Sequence, residues 1–235
     1  MKQPLKGKTL VLFGIMLALA VALAFLMQGD TTEPEYVVRI NGEAVYLPEF
    51  YVYLSEQRVA FEDLGGSAIW ETNFDGESAE NVAKQRALAS LTRVKISAAQ
   101  ARARGIEVTE SDWADIENRA QRFYNRVGGG FMQSTGVSMD DIVFIMTEII
   151  LHYRIFEELT QNYRINENDF LQYFRQYKEA HGIENPEATL ENRIRAMYSQ
   201  ERRLQIFEAE YQRWMDDIIM HINHPVWDTI SVFDF

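Results

Sequence analysis

The chain has 235 residues, 47% of them hydrophobic, no cysteine and a net charge of −12. Without cysteine there is no disulfide framework, thiol nucleophile, cysteine-based zinc site or lipid-modified cysteine. The first 30 residues carry Lys2, Lys6, Lys8 and Asp30, so the remainder holds −14, a poor balance for gripping nucleic acid or anionic lipid heads.

The three lysines, in a basic segment at 1–8, precede an uncharged run at 9–29, TLVLFGIMLALAVALAFLMQG. A spanning helix needs about 20 apolar residues, and this run reaches that length. The basic flank places the N-terminus in the cytoplasm and the rest outside. A cleaved signal peptide is the rival, with small-residue sites in AVALA. Phe25, Leu26 and Met27 continue the apolar run beyond them, which favours an uncleaved signal anchor. Either reading exports the domain. Residues 30–35 read as a polar linker, and 36–235 as the exported module.

Val37–Ile40 and Ala44–Tyr46 read as two short strands around Asn41-Gly42, a dipeptide suited to a tight hairpin turn. Pro48 opens a helix with Phe50, Leu54, Phe61 and Leu64 on one face, stopped by Gly65-Gly66. After a variable stretch to Gly76, Ser78 caps the next helix. Its apolar stripe is Ala87, Leu88, Leu91, Val94, Ala98 and Ala101, and Gly105 ends it. Thr109 and Asp112 form a capping-box variant before a helix with Trp113, Ile116, Ala120 and Phe123 on one side. The glycines at 128–130 predict a helix stop and a flexible loop.

Ser138 and Asp141 repeat the capping logic. Ile142, Ile145, Ile149, His152, Phe156, Leu159 and Tyr163 predict an amphipathic helix of about 25 residues, or roughly 38 Å. Asn166 and Asp169 open a shorter helix whose face is Phe170, Tyr173, Phe174 and Tyr177. HGIENP breaks it. From about Glu187 a last long helix runs through Leu190, Ile194, Met197, Leu204, Tyr211, Trp214 and Ile218, and Pro225 ends it. The tail VWDTISVF is β-prone. Two strands alone are marginal in water, so the tail is expected to add a third strand to the opening hairpin. The fold class is mostly α: a multi-helix module with one small sheet, following one transmembrane helix.

VVRINGEAVYLPEF resembles the start of the SurA/PrsA family of extracytoplasmic chaperones and foldases. AKQRALASLTRVKISAAQARARGIEVTESDW is similar to that family's second helix, its link and the next helix. RINENDFLQYF is similar to its Val-x-Asp-x-x-Ile-x-x-Tyr-Tyr type of signature. The resemblance runs from about residue 36 to 180. In that family a parvulin prolyl isomerase domain normally follows the Tyr-Tyr helix, whereas here only KEAHGIENPEATLEN precedes the last long helix. The resemblance therefore implies a chaperone module without its catalytic insert, and no isomerase residue carries over. It implies binding of unfolded or newly exported polypeptides through apolar surfaces, without ATP. A dedicated scaffold for one envelope or secretion partner is the alternative, and a prolyl isomerase-type foldase the second.

The residues themselves supply no catalytic constellation. His221 and His224, near a helix end with Asp217 a turn earlier, could ligate a metal, but favourable contacts with the last helical carbonyls are the plainer explanation. His152 sits in an apolar stripe. The glycines at 128–130 do not follow a strand, so they form no phosphate loop. No cofactor, metal or catalytic residue is implied. Candidate client-binding residues are Tyr51 and Tyr53 on the first helix, Phe131 and Met132 beside the glycines, and Tyr173, Phe174 and Tyr177. Such side chains suit a sequence-tolerant surface, although aromatic residues at helical spacing more often belong to a core.

Overall fold

Asn41 and Gly42 hold consecutive positive φ angles of 51° and 87°, which closes a tight hairpin between β1 (Tyr36–Ile40) and β2 (Glu43–Tyr46). A computed structural model describes residues 35–184 and 187–235. The anchor read at 9–29 lies outside the described residues; among those that are described, no helix is long and apolar enough to cross a membrane. Tyr36–Phe235 forms one compact unit.

The third strand exists, but it is β5 (Met220–Ile222) rather than the tail. It runs antiparallel to β1, with Val38 opposite Ile222 and Ile40 opposite Met220, so β1 is the central strand. Asn41 fixes this pairing from the turn itself. Its N–H donates to the Ile219 carbonyl (2.8 Å) and its Oδ1 accepts from Ile219 N–H (2.9 Å). The tail cannot extend the ladder because Pro225 lacks an N–H donor and starts the short helix α7 (His224–Trp227). Val226, Trp227, Ile230 and Val232 then turn into the core.

Helix α1 (Leu47–Gly65) has Pro48 in its first turn. Phe50, Leu54 and Phe61 are buried as expected, but Leu64 is exposed at the frayed end. A 3-10 turn (Gly66–Glu71) follows, then a second, unforeseen hairpin of β3 (Asn73–Phe74) and β4 (Glu77–Ser78). Helix α2 (Ala79–Ala103) begins at Ser78, whose side chain accepts from Asn81 N–H. It ends in a Schellman motif: Ile106 N–H donates to Ala101 O and Gly105 N–H to Arg102 O, with Gly105 at φ 72°.

Helix α3 (Glu110–Thr135) starts in the Thr109–Asp112 capping box. Ile116, Ala120 and Phe123 face inward, whereas Trp113, in the first turn, remains exposed. The glycines at 128–130 do not make a loop. Gly128 alone leaves helical geometry (φ 76°, ψ 172°), and the helix resumes to Thr135. A kink at one glycine redirects the chain so that Phe131 packs edge-on against Phe123. Helix α4 (Met139–Thr160) starts in the Ser138–Asp141 capping box and stops short of Tyr163. Helix α5 (Glu167–His181) is capped by Asn166. Helix α6 (Ala188–Met215) ends before Ile218.

The main core lies between α1, α2, α4 and the sheet, and receives Phe207, Tyr211 and Trp214 from the last turns of α6. A separate small core joins α5 to the first half of α6: Phe170, Phe174, Ile194 and Tyr198.

A buried ion cluster crosses the main core. Lys95 Nζ on α2 lies 2.9 Å from Glu49 (α1), 3.2 Å from Glu148 (α4) and 3.2 Å from Glu43 (β2). Arg102 meets the other oxygen of Glu148 at 3.2 Å. Glu148 is 1% exposed, and two cations face three carboxylates. Burial, opposed by the Lys95 ammonium and reinforced by Glu148 and Glu43, pushes the Glu49 carboxyl up to about 7.

Two outcomes are expected. Trp227 packs edge-on against Phe50 at 5.5 Å between ring centres, and its carbonyl accepts from Lys84 Nζ at 2.8 Å. Trp227→Ala should lower unfolding stability by about 3–5 kcal/mol, read from the urea midpoint. Glu49 holds its proton more tightly folded than unfolded, so its contribution is full below pH 4.5 and is lost as pH rises through 7. Glu49→Gln should therefore gain about 1–3 kcal/mol relative to the unmodified chain between pH 5 and pH 8. An unchanged difference across that range would show that Glu49 does not titrate there.

Candidate functional site

Two open grooves flank the exposed side of α4. The first, of about 610 Å³, lies between α1, α3 and α4. Its floor is Val52, Phe123, Ile145, Met146 and Ile149, and its α3 wall carries Arg119, Arg122 and Arg126. The second, of about 600 Å³, lies between α2, α4, α6 and β5, and includes Leu88, Val94, His152, Tyr211, Met215 and Met220. Ile149 and Tyr153 line both, so the two meet on α4. Tyr153 is 49% exposed.

The grooves follow from how α4 distributes its residues. Ile142, Ile145, Glu148, Leu151 and Ile155 form the fully buried face. Met146, Ile149 and Tyr153, spaced by three and four residues, fall beside that face and stay partly open. The Lys95–Glu148 contacts tie α4 to α2 and, through Glu49, to α1, which holds the walls apart at fixed positions.

His152, on the second groove, is held neutral in ordinary conditions: burial, reinforced by Arg93, pushes its imidazole down to about 4. Its Nδ1 has no hydrogen-bond partner. Tyr53, on the first groove, has a buried hydroxyl without a hydrogen-bond partner, and burial next to Glu49 and Glu148 raises it well above the usual phenol range. At neutral pH His152 stays uncharged and the Tyr53 hydroxyl keeps its proton. What the grooves offer is apolar area, aromatic edges and guanidinium groups.

Of the seven residues proposed from sequence, Tyr53 lines the first groove. Tyr51 turns toward the tail, donating to Asp234 Oδ2 at 2.6 Å and packing edge-on against Phe235. Phe131 is buried against Phe123 and Phe235, with Met132 half-buried nearby. Phe174 belongs to the small core between α5 and α6, with Tyr173 and Tyr177 packed around it. The structure therefore uses most of this set to hold the fold together. Met146 and Tyr153 lie outside the stripe read from the sequence, whereas Ile149 was part of it. Arg119, Arg122 and Arg126 stand three and four residues apart on one face of α3.

The histidines near the C-terminus do not lie at the C-terminal end of the last long helix, which stops at Met215. His221 lies in β5, its Nδ1 3.0 Å from the Tyr36 hydroxyl, and His224 opens α7. Among the described residues no group of three or more His, Cys, Asp or Glu could hold a metal ion.

Comparison with curated proteins and with solved structures gives no match. Comparison with protein families matches the SurA-like N-terminal domain over residues 3–137. The matched span includes the hairpin and α1 to α3, while the α4 floor of the grooves lies just beyond it. Between α5 and α6, where the resemblance would place a parvulin domain, only residues 182–187 intervene, and no parvulin domain is evident. With more than half of the chain matched, and with the Asn41-Gly42 hairpin leading into three helices, the protein belongs to the SurA-like N-terminal domain family.

Proposed function

We propose that this is a membrane-anchored, extracytoplasmic, chaperone-like protein that holds unfolded or newly exported polypeptides in the two grooves on α4 and releases them without ATP. The observation that carries this reading is the pair of joined apolar grooves on α4, packed against the SurA-like segment and lined by Met146, Ile149, Tyr153, Met215 and Met220. Methionine and aromatic side chains adapt to varied partners at small cost. The grooves are open rather than enclosed, which suits a passing chain better than a small ligand. The location rests on the basic flank and apolar run at 2–29.

A second reading has its own observation. Leu171 on α5 and Met197 and Leu204 on α6 are each about half exposed. They lie along the part of the molecule that carries the small core, and suit one dedicated partner in an envelope or secretion complex.

The full-length chain in lipid nanodiscs should suppress light scattering by an equimolar, chemically unfolded, aggregation-prone protein without nucleotide. Tyr153→Asp combined with Met146→Gln should weaken client binding about 10-fold, equivalent to about 1.4 kcal/mol, and leave thermal unfolding nearly unchanged. No suppression by the folded protein would remove the chaperone reading. Loss of a specific co-purifying partner on Leu171→Glu and Met197→Glu would then support the second.

A further inference from the structure

The first groove is not electrically neutral. Its wall sets Arg119, Arg122 and Arg126 against a single carboxylate, Glu56, in a chain whose net charge is −12. Two of the arginines are already engaged. Arg119 holds Asp115 at 2.7 Å, and its guanidinium lies 5.7 Å from the centre of the Tyr153 ring. Arg126 pairs with Glu56 and lies 5.2 Å from the centre of the Phe123 ring. Arg122, between them in sequence, is exposed, and no carboxylate among the described residues lies within ion-pair distance of it. A guanidinium on an aromatic-lined apolar groove keeps its five donors for a planar anion.

The neighbouring acids do not cancel this charge. Asp112, Asp115 and Glu157 lie at the adjoining end of the surface, and each already has an arginine: Arg154 at 2.7 Å, Arg119 at 2.7 Å and Arg203 at 2.5 Å. A carboxylate entering beside Arg122 therefore meets one uncompensated cation and no uncompensated anion among these groups.

We infer that the groove between α1, α3 and α4 prefers polypeptide segments that combine apolar side chains with a flanking carboxylate, and that Arg122 is the residue that reads the carboxylate. This rests on the polypeptide-holding reading of the grooves. The apolar floor of Val52, Phe123, Met146 and Ile149 takes the segment's hydrophobic side chains. The arginine wall adds a charge preference without demanding a sequence, because an exposed ion pair is worth little by itself and discriminates only modestly. Lysine-flanked apolar segments are disfavoured by the same wall.

The test uses the full-length chain in nanodiscs of zwitterionic lipid and three fluorescent peptides of one length and one apolar pattern. The flanking residues are Glu, Gln or Lys. Anisotropy titration should give the order Glu, Gln, Lys, with Glu tighter than Gln by about 3–5-fold at low salt and the difference shrinking above 0.15 M, where the Debye length is about 8 Å. Arg122→Gln should erase the Glu preference, bringing the Glu and Gln peptides to the same affinity as each other. Equal binding of all three peptides overturns the carboxylate preference while the groove reading stands. No binding of any peptide overturns the groove reading and this inference with it. Binding that tracks anionic lipid added to the nanodisc, rather than the peptide's carboxylates, assigns Arg122 to the membrane surface and overturns the inference as well.

Discussion

A carboxylate that is 1% exposed must be answered by a cation, and Glu148 is such a carboxylate in the middle of α4. Taking it out of water costs several kcal/mol, which only close, well-placed partners offset. Lys95 and Arg102, two turns apart on α2, approach its two oxygens. Lys95 also reaches Glu49 on α1 and Glu43 on β2. These contacts fix the axial register of α2 against α4 and bring the hairpin and α1 to the same point. Apolar packing alone would tolerate a slip of one helical turn; a buried ion cluster does not. Burial, more than the neighbouring Glu148 and Glu43 carboxylates, is why Glu49 holds its proton toward neutral pH despite the Lys95 ammonium.

The same economy of fixed points closes the molecule. β1 is made early in the chain but receives its second partner from β5, near the end. Asn41 performs two tasks: it turns the hairpin and hydrogen-bonds Ile219 as β5 arrives. Asn223 continues the lock, its N–H donating to Val37 O at 3.0 Å and its side chain to Tyr36 O at 2.9 Å. Beyond it the tail is held by Lys84, Tyr51 and Arg58, each giving a hydrogen bond to a group of the last nine residues. The long excursion through α2 to α6 is thus returned to its start by polar contacts of defined geometry, with Trp227 and Val232 filling the space beneath.

Local signals in the sequence were readable because their physics is local. Ser78, the Thr109–Asp112 and Ser138–Asp141 boxes, Asn166 and Gly105 satisfy orphan backbone groups within a few residues, and each does so in the structure. Asp75-Gly76 carries the same turn signal as Asn41-Gly42 and was passed over because its flanks are polar and short. The glycines at 128–130 misled because only Gly128 takes a conformation that a helix cannot hold. The third strand was misplaced because Met220–Ile222 is too short to register as a β run, while VWDTISVF looks extended but buries its apolar groups on a turn.

The groove was illegible for a related reason. An apolar stripe read along α4 skips any charged residue, so it omits Glu148 and includes Ile149. The buried face is centred on Ile145, Glu148 and Leu151, which moves Ile149 and Tyr153 to its margin. A residue at the margin of a helix's buried face is where a groove forms, since its neighbours on one side are fixed and on the other absent. Most large aromatics in a chain of this size are needed to fill the interior, and Tyr51, Phe131 and Phe174 are used that way. A surface meant to bind chains loosely is better built from partly exposed methionine, isoleucine and tyrosine over a rigid floor. The Glu148 cluster ties the α4 part of the floor to α1 and α2, so in the proposed reading side-chain rotation of Met146 and Tyr153 would do much of the fitting to varied segments. In the proposed chaperone reading, affinity would stay limited by the modest apolar area offered, and release would need no nucleotide because little binding energy has to be undone.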